Sequence, residues 1–479
     1  MFTFANVKKR KQPIILQDVL VQDYAAEGKS LAKLDGKVVF IERVVPGDIV
    51  DVQLFKNKKD WAEGYPVKFK QYSADRVASF CNHFQTCGGC QWQMLPYEKQ
   101  IQFKQKQVLD NLTRIGKIDL PEMLPIVGAN ETKYYRNKIE YTFATKRYVP
   151  DEEMLELRKQ GLPMINEGSF GGFHAKGVFD KVVEINTCHL QAEPTNQIRN
   201  AITAFCIENK YPFYDIKNHT GWLRNMMVRI ATTGEWMVNI MLGYEDEKMI
   251  KHLMDFVLEK FPSITSLLYT INSKVNDSIY DLTPVAYFGK GYIIEKLENF
   301  EFIIGPKSFF QTNTKQGEKL YSITRDFAEL TGKETLYDLY CGTGSIGIFC
   351  SQQAAKIVGV EAIPEAIEDA KKNAALNNLD KTTFYVGDVI KVCDDNFFAE
   401  HGKADVVITD PPRAGMHEKL VNKLLEIASP TIVYVSCNPA TQARDLALLD
   451  AKYAVTKIQP VDMFPHTHHI ENVVQLKLR

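Results

Sequence analysis

The sequence has almost no net charge: 58 Lys+Arg stand against 59 Asp+Glu, a formal −1 at pH 7. A chain so balanced is not a generally basic protein that holds polyanions by bulk charge. No apolar run approaches the ~18 residues of a membrane span. No apolar stretch precedes the basic run Lys8-Lys9-Arg10-Lys11, so the start is not a secretory signal. A disulfide framework is missing too, because the nine cysteines, at 81, 87, 90, 188, 206, 341, 350, 393 and 437, are odd in number and irregular in spacing. Internal repeats and low-complexity tracts are also absent. Together these absences predict a monomeric globular protein of the cytoplasm, with no membrane partner. In that reducing compartment clustered cysteines bind metal or do chemistry more often than they pair.

What is present divides the 479 residues into several domains. Residues 1–70 hold short β-runs broken by Gly28, Asp35-Gly36 and Pro46-Gly47, which predicts a small OB-like barrel of the kind that binds nucleic acid. Residues 71–304 read as a central α+β domain. It opens on the cysteine-rich stretch 81–90, followed by apolar residues at helical spacing from Tyr97 to Ile115. A charged insertion, 144–168, is its least ordered-looking piece. Residues 305–479 alternate strands and helices, the pattern of a parallel, doubly wound α/β (Rossmann-like) sheet. Its expected strands are Thr335–Leu339, Ile357–Glu361, Thr383–Val386, Asp405–Thr409, Thr431–Ser436, Tyr453–Pro460 and Val473–Lys477. Charge is distributed unevenly over this plan. Residues 1–120 carry 19 Lys+Arg and 13 Asp+Glu, the remainder 39 and 46.

Ligands of such sheets bind beyond the carboxyl ends of the strands. There the first strand runs Asp338-Leu339-Tyr340-Cys341-Gly342-Thr343-Gly344-Ser345, where Gly342 and Gly344 allow a tight turn and close approach. The second strand ends at Glu361, placed to bridge ribose hydroxyls, and the third at Gly387-Asp388, near an adenine amino group. Carboxylates on successive strand ends suit a cofactor with ribose and adenine but no pyrophosphate, and S-adenosylmethionine is such a molecule. The fourth strand ends Asp410-Pro411-Pro412-Arg413. An acidic-Pro-Pro loop also serves amino-group methyltransferases, but an aromatic residue usually follows there. The fifth ends Ser436-Cys437-Asn438-Pro439, and Glu471 opens the last strand after His466-Thr467-His468-His469.

A thiol and a carboxylate beside a methyl donor suit one difficult reaction. Carbon 5 of a pyrimidine is a poor nucleophile until a thiolate adds to carbon 6. After methyl transfer a base must remove the carbon 5 proton so that the thiol can leave. Cys437 and Glu471 would fill these roles, on a base flipped from its stack. Separately, Cys81-x5-Cys87-x2-Cys90 with Gly88-Gly89 has metal-site spacing. It suits zinc or iron–sulfur, with Cys188 or Cys206 as fourth ligand.

Several runs together resemble the RNA uracil-C5 methyltransferases. They are Ser308-Phe309-Phe310-Gln311-Thr312-Asn313, the Asp338–Gly344 turn, Asp410–Arg413, Ser436–Pro439 and Asp462-Met463-Phe464-Pro465-His466-Thr467 through Glu471. Residues 27–48 are similar to the TRAM barrel of the 23S ribosomal RNA branch, which also carries an iron–sulfur cluster. The resemblance implies Cys437 as nucleophile and Glu471 as proton acceptor. It implies cofactor contacts at Gln311, Tyr340, Gly342, Gly344, Ser345, Glu361, Asp388 and Asp410. It selects a 4Fe–4S cluster on Cys81, Cys87, Cys90 and Cys188, and a helix at about 97–115 packed on the catalytic domain. The implied partner is RNA: 23S ribosomal RNA first, transfer RNA as the alternative. An amino-group or cytosine-C5 methyltransferase and a non-catalytic RNA-binding protein are the rival classes. RNA cytosine-C5 enzymes usually carry a cysteine in the Pro-Pro loop, where this chain has Asp410-Pro411-Pro412.

Overall fold

The computed structural model describes residues 13–479; the basic run Lys8–Lys11 lies outside the described residues. The chain divides into two compact units. One comprises residues up to Gln85 with Cys90–Phe103 and His466–His468; the other comprises Thr86–Gly89, Lys104–Pro465 and His469–Arg479. Among the described residues no helix is long and apolar enough to cross a membrane.

The first unit is built on β1 (Ile14–Leu20), β2 (Asp23–Tyr24), β3 (Ser30–Leu34), β4 (Lys37–Ile41), β5 (Ile49–Asn57) and β6 (Trp61–Gln71). They form one sheet in the order β1-β5-β6-β4-β3-β2. Alternating apolar residues, among them Val39, Ile41, Val50 and Val52, fill its core. The Pro46-Gly47-Asp48 turn is held by a buried carboxylate. Asp48 accepts from Val45 N at 2.7 Å and Ser73 N at 2.8 Å and pairs with Arg76 at 2.7 Å.

The second unit contains a mixed seven-stranded sheet of β7 (Lys138–Lys146), β8 (Glu167–His174), β9 (Val182–Glu184), β10 (Leu223–Ile230), β11 (Trp236–Leu242), β12 (Ser266–Ile271) and β13 (Val285–Gly289). Their order is β13-β12-β11-β10-β7-β8-β9. The segment 144–168, expected to be irregular, instead carries a helix at Asp151–Lys159. Pro150 precedes it, Asp151, Glu152 and Glu153 fill its first turn, and Arg158 and Lys159 its last. That charge order complements the helix dipole. A hairpin, β14 (Ile293–Leu297) and β15 (Phe300–Ile304), leads into the catalytic half.

That half is a second seven-stranded sheet: β16 (Thr335–Leu339), β17 (Lys356–Glu361), β18 (Thr382–Val386), β19 (Val406–Thr409), β20 (Thr431–Ser436), β21 (Tyr453–Val461) and β22 (Glu471–Leu478). The order is β18-β17-β16-β19-β20-β22-β21, parallel except for β22, which runs antiparallel to both neighbours. Both faces are covered. Leu336, Ile357, Ile408, Val433 and Val473 enter one core, and Tyr337, Val358, Val407, Ile432 and Val474 the other. Val108 and Leu112, from the chain that follows Lys104, pack in this second core. Strand order reverses between β16 and β19, which makes that crevice the expected ligand position.

Candidate active site

The crevice is shaped by the loop after β16. Tyr340, Gly342 and Gly344 all have positive φ, at 63°, 53° and 76°. A Cβ on Gly344 would stand 3.1 Å from Ala370 and the Phe384 ring, so only glycine turns here. Asp338 lies beneath this loop rather than at its open side. It is fully buried, with Oδ2 accepting from Gly347 N at 2.8 Å, and burial raises its carboxyl to about 7. Glu361 ends β17 and ties the loop down, accepting from Gly342 N at 3.2 Å and Ile363 N at 3.0 Å. Asp388 is exposed and caps the next turn through Ile390 N at 3.1 Å. The Ser345 hydroxyl is engaged by the Tyr321 hydroxyl at 3.0 Å. Burial pushes the Tyr340 phenol up to about 12.

Gln311, 7% exposed, stands just ahead of a helix (Thr314–Ala328) capped by Asn313. Asn137 Nδ2 holds the Gln311 carbonyl at 2.9 Å.

Cys437 and Glu471 meet through sheet register. In the antiparallel β20–β22 ladder Ser436 faces Asn472, so the next pair outward is Cys437 and Glu471. Asp410 follows β19, the neighbouring strand, and its backbone N donates to Leu339 O. The environment is acidic, with Glu471 buried and Asp410 and Cys437 half-buried. Burial raises Asp410 to about 7 and Glu471 well above its ordinary range, with Asp410 adding to the second shift. Burial, then the Glu471 and Asp410 charges, push the Cys437 thiol up to about 11. The Arg413 charge opposes this, and its Nη2 meets His469 Nδ1 at 3.2 Å. Its carbonyl is fixed by Asn438 Nδ2 at 3.0 Å and Thr441 Oγ1 at 3.2 Å. The result is a thiol, two carboxyls of raised proton affinity and one cation.

The loop before Glu471 is held carbonyl by carbonyl. Gln316 Nε2 donates to Asp462 O at 2.8 Å, Asn313 Nδ2 to Met463 O at 3.0 Å, Lys104 Nζ to Phe464 O at 3.0 Å and Tyr135 OH to Pro465 O at 3.1 Å. Lys104 also pairs with Asp462 at 2.6 Å, both side chains fully buried. Sequence reasoning missed this pair. Its signal was Lys104 standing in the buried 100-104-108-112 stripe of a helix, where a charge needs a partner.

The cysteine cluster is not assembled in this way. None of the nine cysteines forms a disulfide. Cys81 and Cys90 belong to one compact unit, Cys87 and Cys188 to the other. Among the described residues no group of three or more His, Cys, Asp or Glu side chains is placed to hold a metal ion. Cys206, the alternative fourth ligand, is a core thiol that burial pushes up to about 12.

Known proteins match the chain over most of its length. Residues 287–479 match the tRNA (uracil-5-)-methyltransferase family and residues 16–67 the TRAM domain. An uncharacterized RNA methyltransferase of Bacteroides thetaiotaomicron is 51% identical over 95% of this chain and 100% of its own length. Another, of Porphyromonas gingivalis, is 48% identical over 95% and 98%. Among solved structures, the Pyrococcus abyssi tRNA (uracil-54, C5)-methyltransferase in complex with S-adenosyl-L-homocysteine superposes with a TM-score of 0.74. It shares 28% identity and covers 96% of this chain and 100% of that one. The chain belongs to the TRAM-domain RNA (uracil-5-)-methyltransferase family.

Proposed function

We propose that this enzyme methylates carbon 5 of uridine in RNA by a covalent route through Cys437, with Glu471 as the terminal base. The observation that carries the reading is the Cys437–Glu471 adjacency at the carboxyl end of the β20–β22 ladder, beside Asp410. S-adenosylmethionine supplies the methyl group. Gln311, Tyr340, Gly342, Gly344, Ser345, Glu361, Asp388 and Asp410 would hold it, a reading supported by the family resemblance and by the place of all but Gln311 at or just after the carboxyl ends of β16 to β19. Its sulfonium charge would favour the ionised carboxylates that burial otherwise disfavours. Cys437 Sγ adds to carbon 6 of the uracil, and the electron pair moves through carbon 5 onto the C4 oxygen. Carbon 5 would then take the methyl group as the methyl–sulfonium bond breaks and S-adenosylhomocysteine leaves, and carbon 5 keeps its proton. Glu471 removes that proton, the C5–C6 double bond re-forms, and the C6–S bond breaks. A carboxyl whose affinity for protons is raised by burial is a stronger base than an exposed one, which matches it to this step.

The test is a trap. RNA containing 5-fluorouridine cannot lose a proton from carbon 5, so it should leave a denaturation-resistant adduct on the protein. An equal yield from Cys437→Ala would defeat the assignment.

The substrate reading is large-subunit ribosomal RNA, supported by the resemblance of the whole motif set. Transfer RNA is the second reading, favoured by the Pyrococcus abyssi neighbour. Mapping 5-methyluridine in total RNA from cells lacking the protein separates them. The 4Fe–4S assignment to Cys81, Cys87, Cys90 and Cys188 rests on the resemblance alone. Iron and acid-labile sulfide in anaerobically purified protein decide it; colourless, fully active protein excludes it.

A further inference from the structure

The second unit contains a concentration of cations that the chemistry at Cys437 does not use. Lys138 on β7 and Arg229 on β10 are direct cross-strand partners. Like charges in that position destabilise a sheet. Here the cost is increased by burial: Arg229 is 3% exposed and the Lys138 side chain 26%. Burial pushes Arg229 down to about 10 and Lys138 below its ordinary range, the second also because Arg229 and Arg136 stand near it. Arg136, two residues before Lys138, brings a third charge.

Compensation is incomplete. Lys138 pairs with Glu140, whose side chain is 57% exposed. Glu295, the other carboxylate felt by Arg229, is already occupied by Thr232 N, Thr232 Oγ1 and Thr314 Oγ1. Arg229 gives an Nη to Ser308 O, while its Nε is buried without a hydrogen-bond partner. Asn137 Oδ1, between the other two cations in sequence, is a buried acceptor without a partner.

The cations also sit beside the proposed site. Asn137 Nδ2 holds Gln311 O, Asn137 N donates to Thr312 O at 2.8 Å, and Arg136 Nη2 reaches Thr312 Oγ1 at 3.4 Å. The Arg136 guanidinium lies 5.7 Å from the centre of the Phe464 ring, in the loop leading to Glu471. An orphan donor among three cations calls for an anion, and an orphan acceptor beside it calls for a hydroxyl. A ribonucleotide linkage carries both.

We propose that Arg136, Lys138 and Arg229 form a subsite for one phosphate of the RNA backbone flanking the target uridine, with Asn137 Oδ1 taking a ribose 2′-hydroxyl. The proposal rests on the uridine-methylating reading for the identity of the polymer. A buried like-charge pair that only supported the fold would be selected against. One that waits for a phosphate is completed when RNA arrives.

The test uses the full-length protein, a transcript spanning the mapped uridine, and the variants Lys138→Gln and Arg136→Gln. Binding is measured across a KCl series. Each variant should bind more weakly, with the slope of log K against log salt reduced by about 1. Lys138→Gln should also melt no lower than the wild type, because it relieves the cross-strand repulsion. S-adenosylhomocysteine affinity serves as the folding control. An unchanged salt slope in both variants overturns the subsite, whatever the melting temperature does. A transcript with 2′-deoxyribose at the two nucleotides flanking the target should bind less tightly to wild type; equal affinity overturns the Asn137 assignment. If wild-type protein makes no 5-methyluridine, the activity reading fails, and the salt slopes still report on the subsite.

Discussion

Two regions of the second unit hold like charges together, and they do so with opposite signs. At the carboxyl ends of β16, β19 and β20, Asp338 under its loop and Asp410 and Glu471 beside a thiol are carboxyls whose proton affinity is raised by burial. Along β7 and β10, Arg136, Lys138 and Arg229 crowd one corner of a different sheet. A third place shows what the same fold does when charge is purely structural. Lys104 and Asp462 are both fully buried, and they are paired at 2.6 Å with their remaining hydrogen bonds made. Where the fold needs only itself, it closes the charge balance. Where a ligand is due, it leaves the balance open, and the sign of the imbalance names the ligand: a sulfonium on one side, a phosphate on the other.

The comparison breaks first, and furthest, at the thiol. Cys437→Ala should lower methylation by about 10⁴-fold or more, as loss of a covalent nucleophile does. It should also abolish the 5-fluorouridine adduct on a denaturing gel. Glu471→Gln should cost about 10²–10⁴-fold in turnover. Unlike the first variant, it should accumulate a covalent complex with ordinary uridine RNA, visible by mass spectrometry, because methyl transfer precedes the blocked step. The closed pair should behave differently from both. Lys104→Met strands the Asp462 carboxylate and should cost about 3–5 kcal/mol in urea unfolding, whereas Lys138→Gln should cost nothing.

The smallest expected effect is a pH dependence. Asp338 and Asp410 have folded-state values of about 7, above those of an unfolded chain, so the native state holds more protons between them. Stability from these groups is fully present below about pH 4 and is lost as pH rises through 7. The ligand-free protein should therefore melt lower at pH 8 than at pH 5.5, by calorimetry. Asp410→Asn should flatten that dependence.

Much of the catalytic half was legible because parallel strands buried on both faces are continuous apolar runs ending in chemistry-bearing residues. Thr335–Leu339 and Thr431–Ser436 coincide with β16 and β20. Cys437, Asp410 and Glu361 are found at strand ends, where their positions in sequence placed them. Asp338 was misjudged: one residue inside a strand end, its side chain turns under the loop to bind Gly347 N. The helix at Asp151–Lys159 was hidden by charge, since no apolar stripe marks a helix with no buried residue. The Lys138–Arg229 pair could not be seen at all. The two residues lie 91 positions apart, and only the β7–β10 register brings them face to face. Lys104 was similarly obscure, because its partner is set by a loop more than 350 residues away.

The β20–β22 ladder has a consequence for how this family can vary in length. Side chains on a strand alternate, so parity decides which of two neighbours looks into the crevice. One residue inserted between Glu471 and Val473 would turn the carboxylate to the far face while leaving every residue of the chain present. Two would restore its side but displace it by roughly 6.6 Å, beyond reach of the uracil. Natural length changes should therefore collect in surface connections such as 144–168 and be missing from the first turns of β22. The reacting pair is guarded less by the identity of its neighbours than by the counting of residues.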